Sequence, residues 1–143
     1  MKIALASPPF PTSLNDSLRQ VELMIKEAAT QKAEIICFPE SYVPGYPNVG
    51  TDTEKCSAEQ LKSTLDKICA VAADNNIAVI IPMDWYEGDV FLNIAHVISN
   101  KGESLGYQAK NQLDPTEDNI WTAGTERRIF EVNSVKFGIT ICH

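Results

Sequence analysis

The chain has no C-x-x-C pair, no basic cluster, no apolar run of membrane-spanning length and no internal repeat. Each absence removes a class of protein. Cys37, Cys56, Cys69 and Cys142 lack paired spacing, and only His96 and His143 accompany them, so a zinc site or a disulfide framework is not indicated. A reduced, soluble, cytoplasmic chain is the expectation. Twelve basic residues against 19 acidic give a net charge of −7, which argues against nucleic acid or an anionic membrane as partner. The opening MKIALASPPFP holds too few apolar residues before its prolines to be a signal peptide. SPPFPTS follows the first strand-like segment where a nucleotide-binding domain would carry a glycine-rich phosphate loop.

What remains is an ordinary globular composition, 44% hydrophobic and 22% charged, which rules out a disordered segment. Its 143 residues are a one-domain length, and a domain of that size buries about 70% of its unfolded surface. KIALAS (2–7) reads as a strand halted by PPFP. From Ser13 the apolar positions Leu18, Val21, Ile25, Ala28 and Ala29 recur at helical spacing to about Lys32, with Glu22, Lys26 and Glu27 on solvated faces. EIICF (34–38) is a short, almost wholly apolar strand of the kind covered on both faces. A proline- and glycine-punctuated loop spans 39–52. Ser57 and Gln60 form a capping-box pattern before a second helix to about Asp74. Strands follow at 77–83, 90–99, 103–109, 128–132 and 136–142, with turns at NKG and at Asn133–Ser134. The order, β-α-β-α-β and then strands alone, predicts an α/β protein with a mixed sheet and helices on one side.

Three reactive residues fall at strand ends: Glu40 after 34–38, Lys110 after 103–109 and Cys142 closing 136–142. Side chains converge on that rim of an open α/β sheet. A thiol of pKa about 8.5 needs a base within reach, a partly desolvated glutamate can supply it, and a fixed ammonium suits the charge that develops on a carbonyl or nitrile under attack. Singly, each has a plainer reading: Cys142 as a packed small hydrophobe, Lys110 as a solvated charge, Glu40 as a turn residue. His96 reads as a packed or surface imidazole. Cys142 and His143 point to opposite faces of a strand and do not readily share a proton or an ion. Tyr42, Tyr46 and Trp85 could line a pocket or simply pack.

The segments IICFPESYVPGYP, YQAKNQLDPTE and FGITICH together resemble the nitrilase superfamily, the carbon–nitrogen hydrolases. Trp121, Gly124, Phe130 and Gly138 sit where the family has like residues. The resemblance implies a Glu40–Lys110–Cys142 triad, a supporting Glu117 near the lysine, and the backbone N–H of His143 as an oxyanion donor. It implies a thioester intermediate, small-molecule amide, N-carbamoyl or nitrile substrates, no metal or organic cofactor, and a homo-oligomer. It further implies a four-layer α-β-β-α sandwich of which residues 1–143 form the N-terminal half, a single hydrolase domain incomplete at the C-terminus. That leaves a fragment of a longer hydrolase as the leading expectation. The alternative is a truncated, inactive relative serving as an oligomeric binding or assembly module.

Overall fold

The computed structural model describes residues 1–47 and 55–142, so part of the loop expected over 39–52 lies outside the described residues. The order is β1 (Ile3–Leu5), α1 (Leu14–Thr30), β2 (Ile35–Cys37), α2 (Ala58–Asp74), β3 (Ala78–Glu87), β4 (Val90–Ile98), β5 (Ser104–Ala109), β6 (Ile129–Val132) and β7 (Val135–Gly138). The first five strands form one sheet in chain order, and β6 and β7 form a second. β1, β2 and β3 run parallel; β4 and β5 return antiparallel.

Both helices begin as their sequences dictate. Ser13 caps α1 by accepting from the Asp16 N–H, and Ser57 with Gln60 closes a reciprocal capping box on α2. Their buried stripes, Val21, Ile25 and Ala28 on α1 and Leu61, Leu65 and Ile68 on α2, join Val79, Ile81, Met83, Ile94 and Ile98 in one core. Each of these valine, leucine, isoleucine and methionine side chains contributes about 1.5–3 kcal/mol when fully buried. Alternation along the strands turns the remaining residues to the other face, where Ile35, Ala78 and Val97 meet Phe130 and Val132 of the small sheet. The layering is therefore α, β, β, with both helices on the outer face as expected. Among the described residues no helix is long and apolar enough to cross a membrane.

β1 and β2 are shorter than the expected 2–7 and 34–38, and two further strands differ in ways that bear on the site. β3 continues past Met83 to Glu87, because Asp84, Trp85, Tyr86 and Glu87 pair across the ladder with Asn93, Leu92, Phe91 and Val90. The tight turn at Gly88, with φ of 59°, makes β3 and β4 one long hairpin. β7 is shorter than expected: it stops at Gly138, opposite Ile129, the first residue of β6. The ladder runs out of partner there, so residues 139–142 continue without it and Cys142 lies four residues beyond a strand end. The Asn133–Ser134 turn has φ of 49° and 64°, the paired positive values of a tight hairpin.

The β4–β5 turn presses on α2. A Cβ built on Gly102, where φ is +78°, would stand 2.5 Å from the Cys69 carbonyl oxygen. Gly102→Ala is expected to cost well over 1 kcal/mol by urea unfolding. Gly88→Ala, at a similar φ but in open space, is expected to lose less. Equal losses would contradict the close approach.

Candidate active site

Lys110 is the first residue past β5, and its backbone is fixed on both sides. Its N–H donates to the Asn93 carbonyl on β4 at 2.8 Å, and its own carbonyl accepts from the Gly124 N–H at 2.8 Å. A Cβ at Gly124 would come within 2.7 Å of the Ala109 Cβ and 2.8 Å of the Asn111 Oδ1, so that strand of chain approaches only as glycine. The lysine side chain is then directed inward and is 1% exposed. Its Nζ donates to Glu40 Oε1 at 2.7 Å and to Glu117 Oε1 at 2.8 Å, with Glu117 Oε2 also at 2.8 Å.

Each carboxylate has its own scaffold. Glu40 lies three residues past β2, and its Oε1 also accepts from Asn93 Nδ2 at 3.0 Å. A quarter of its side chain (26%) stays accessible, which keeps it open to an incoming group. Glu117 is buried in a turn that its own carboxylate helps close: Oε2 accepts from the Asp114 backbone N–H at 2.8 Å. Oε1 accepts from the Tyr46 hydroxyl at 2.5 Å, and the Tyr46 ring meets Trp121 edge-on.

An ammonium this deep would lose its proton unless it were paired. Burial alone favours neutral Lys110, but the hydrogen bonds and charges of Glu117 and Glu40 outweigh it and hold the amine above its ordinary range. Burial likewise pushes Glu117 up, and the donors Lys110, Tyr46 and Asp114 more than reverse this, so it ionises below its ordinary value. The Tyr46 phenol is pushed up to about 12, by burial first and then by its bond to Glu117.

Thus Glu40, Lys110 and Glu117 meet in one hydrogen-bonded cluster, and Lys110 is buried where an isolated reading of the sequence allowed a solvated charge. Cys142 is exposed rather than packed, and its φ of 58° falls in the left-handed region that a non-glycine residue adopts only under constraint. Ile141, just before it, is buried. The segment leading to Cys142 shares a cleft of about 500 Å3 with the residues flanking Lys110: Gly138, Thr140 and Ile141 on one side, Gln108, Ala109 and Asn111 on the other. His143 lies outside the described residues.

Other candidates resolve differently. Tyr46 belongs to the site, whereas Tyr42 is a core residue bonded to the Pro9 carbonyl. Trp85 meets His96 at 5.8 Å among the helix-facing residues of the sheet. His96 is packed, bonded to Ser104 at 2.7 Å, and burial pushes its pKa down to about 4. Among the described residues no group of three or more histidine, cysteine, aspartate or glutamate side chains could hold a metal ion. The sequence reading missed Asn93, which ties Glu40 and Lys110 together from β4. Its signal was a lone amide inside the apolar strand FLNIAHV, where burial demands a partner.

Two carboxylates around one buried ammonium make a stability prediction. In Lys110→Met the carboxylates face each other uncompensated, and the loss should be on the order of 3–5 kcal/mol at neutral pH. Glu117, held low, contributes stability above its ordinary value of 4.5 that is lost as pH falls through its lower folded value. Denaturant unfolding should therefore find the Lys110→Met deficit smaller at pH 4 than at pH 7, because the carboxylates can then neutralise. A deficit independent of pH would contradict the cluster.

Comparison with known proteins places the chain in a family. The carbon-nitrogen hydrolase family profile matches residues 2–143. An arylacetonitrilase of Arthroderma benhamiae is 27% identical over 150 aligned positions, covering 96% of this chain and 45% of that protein. A nitrilase of Pyrococcus abyssi is 29% identical over 86% of this chain and 48% of its own length. An amidase variant of Nesterenkonia sp. AN1, in which acrylamide has added at the active-site cysteine, superposes with a TM-score of 0.84 at 22% identity, over 99% of this chain and 57% of that one. The chain thus spans about half the length of these relatives. With a family match that runs almost from end to end, the chain belongs to the carbon-nitrogen hydrolases.

Proposed function

We propose that this chain supplies the catalytic groups of a thiol hydrolase acting on small amides, N-carbamoyl compounds or nitriles, with Glu40, Lys110 and Cys142 as the triad. The observation that carries the reading is the Glu40–Lys110–Glu117 cluster, in which a base and a cation are held 2.7 Å apart beyond the ends of β2 and β5. The constrained backbone at Cys142 adds support, since strain of that kind collects where a nucleophile is presented. So does the cleft that joins its approach segment to the neighbours of Lys110. The amidase neighbour, whose cysteine takes up acrylamide, works with the same kind of nucleophile.

For an amide or N-carbamoyl substrate, Glu40 takes the proton of the Cys142 thiol as the sulfur attacks the carbonyl carbon; a nitrile would instead give a thioimidate, which adds one water before ammonia leaves. The C=O π pair moves to oxygen, and Lys110 faces the resulting oxyanion. Two of its three N–H bonds can serve the two carboxylates, leaving one for that oxygen. The backbone N–H of His143 is the second donor. Collapse expels the nitrogen as ammonia or an amine, carrying the proton from Glu40, and leaves a thioester on Cys142. Glu40 then takes a proton from water, hydroxide adds to the thioester, and the thiol departs with the proton returned. Glu117 does not touch the substrate in this scheme; it fixes and charges Lys110. Removing a general base of this type typically lowers rate by 10²–10⁴.

Iodoacetamide mapping of the protein tests the reading. Cys142 should label fastest, since Cys56 is buried and burial pushes the Cys37 and Cys69 thiols up. Exposure alone would give that order, so the deciding result is Glu40→Gln, which should slow Cys142 labelling at least tenfold without changing the others. Unchanged labelling in that variant would remove Glu40 as the base.

A further inference from the structure

Asp84 is a buried carboxylate that the mechanism does not use. It stands on the polar extension of β3, 8% exposed, directly across the ladder from Asn93 and on the face that meets the small sheet. Burying an acid there is costly unless its oxygens are bonded. Both of its donors come from the two arms of the active site. The Trp121 indole donates to Oδ1 at 3.0 Å, and the Ser41 hydroxyl reaches the same oxygen at a longer 3.4 Å. Ser41 follows Glu40 and is held at a φ of 48°, a conformation that needs an external tether in a non-glycine residue. Trp121 closes the Glu117 turn, its backbone N–H donating to the Glu117 carbonyl at 3.1 Å. Its ring also abuts Tyr46, the hydroxyl donor to Glu117. The Asp84 backbone N–H donates to the Val43 carbonyl at 2.9 Å, fastening the same loop once more.

We propose that Asp84 is a positioning residue that clamps the Glu40 arm to the Glu117 arm, so that both carboxylates are presented to Lys110 at once. The need for such a clamp is electrostatic. Two carboxylates on one ammonium leave the cluster with a net charge of −1, and their mutual repulsion in a poorly solvated space would otherwise drive one of the arms outward. A single oxygen that accepts from a residue on each arm resists that separation. Burial pushes the Asp84 carboxyl up to about 7, with the Trp121 and Ser41 bonds and the charge of Lys55 pulling the other way. The clamp does not require the charge, because either form keeps an acceptor oxygen for the indole.

The chemical consequence rests on the hydrolase reading, and the test separates the two. Asp84→Ala removes the acceptor; Asp84→Asn keeps one. Hydrogen exchange, which needs no catalytic assumption, should find faster opening of residues 40–46 and 117–121 in Asp84→Ala, with α1 and α2 unchanged and protection restored in Asp84→Asn. Iodoacetamide labelling of Cys142 should fall at least tenfold in Asp84→Ala, as in Glu40→Gln, and return to within about threefold of wild type in Asp84→Asn. Unchanged exchange in both arms, or failure of Asp84→Asn to restore it, overturns the clamp. Loosened arms with wild-type labelling in Asp84→Ala, while Glu40→Gln slows it, overturns the link from clamp to chemistry. If Glu40→Gln has no effect, the hydrolase reading falls, and exchange alone decides the clamp.

Discussion

A lysine ammonium enclosed in protein is the constraint from which the rest of this structure follows. Lys110 is all but inaccessible, and an enclosed cation is tolerated only with hydrogen-bond acceptors and opposing charge close by. It therefore needs Glu117, which lies equally deep, and Glu40, which keeps an open side. Those two carboxylates in turn need donors of their own, and Tyr46, Asn93 and the Asp114 backbone supply them. The cluster is thus less a trio than a polar network whose members depend on one another, although the buried Asn93 Oδ1 has no hydrogen-bond partner in it.

The layered fold supplies the place for that network. Helices cover one face of the five-stranded sheet with aliphatic side chains, leaving the opposite face to meet the small β6–β7 sheet. Beyond the ends of β2 and β5 the chain is no longer committed to a ladder, so Glu40 and Lys110 can turn toward each other there. The accompanying loops are pinned by backbone bonds: Val43 to Pro82 and Asp84, Gly124 to Lys110, Thr122 to Phe91. Rigid strands thereby set the position of residues that are themselves outside regular structure, which is how a scaffold gives precision to a site.

Much of this was legible in the sequence, for reasons that differ by element. The helices announced themselves through 3.6-residue periodicity and, in α2, a capping box whose two reciprocal bonds both form. Glu40 and Lys110 were readable because strand ends are marked by the change from apolar runs to polar and proline-rich segments. The extension of β3 was not, since DWYEG carries no simple apolar alternation and its strand character comes from pairing with β4. β7 was overestimated for the opposite reason: ITIC has the composition of a strand but no ladder partner beyond Ile129. Asn93 showed only as a lone amide in an apolar strand, and neither its partner nor the role of Asp84 could be read before the register set the two side by side.

Lysine side-chain 15N NMR on Lys110 addresses the central claim most directly, since it reads the charge and the hydrogen bonding of the one group on which the site depends. A slowly exchanging ammonium signal, retained to a pH above the ordinary lysine value of 10.5 and lost in Glu117→Gln, is the result predicted. A Lys110 amine that titrates below that value, or one indistinguishable from the exposed lysines, would contradict the account.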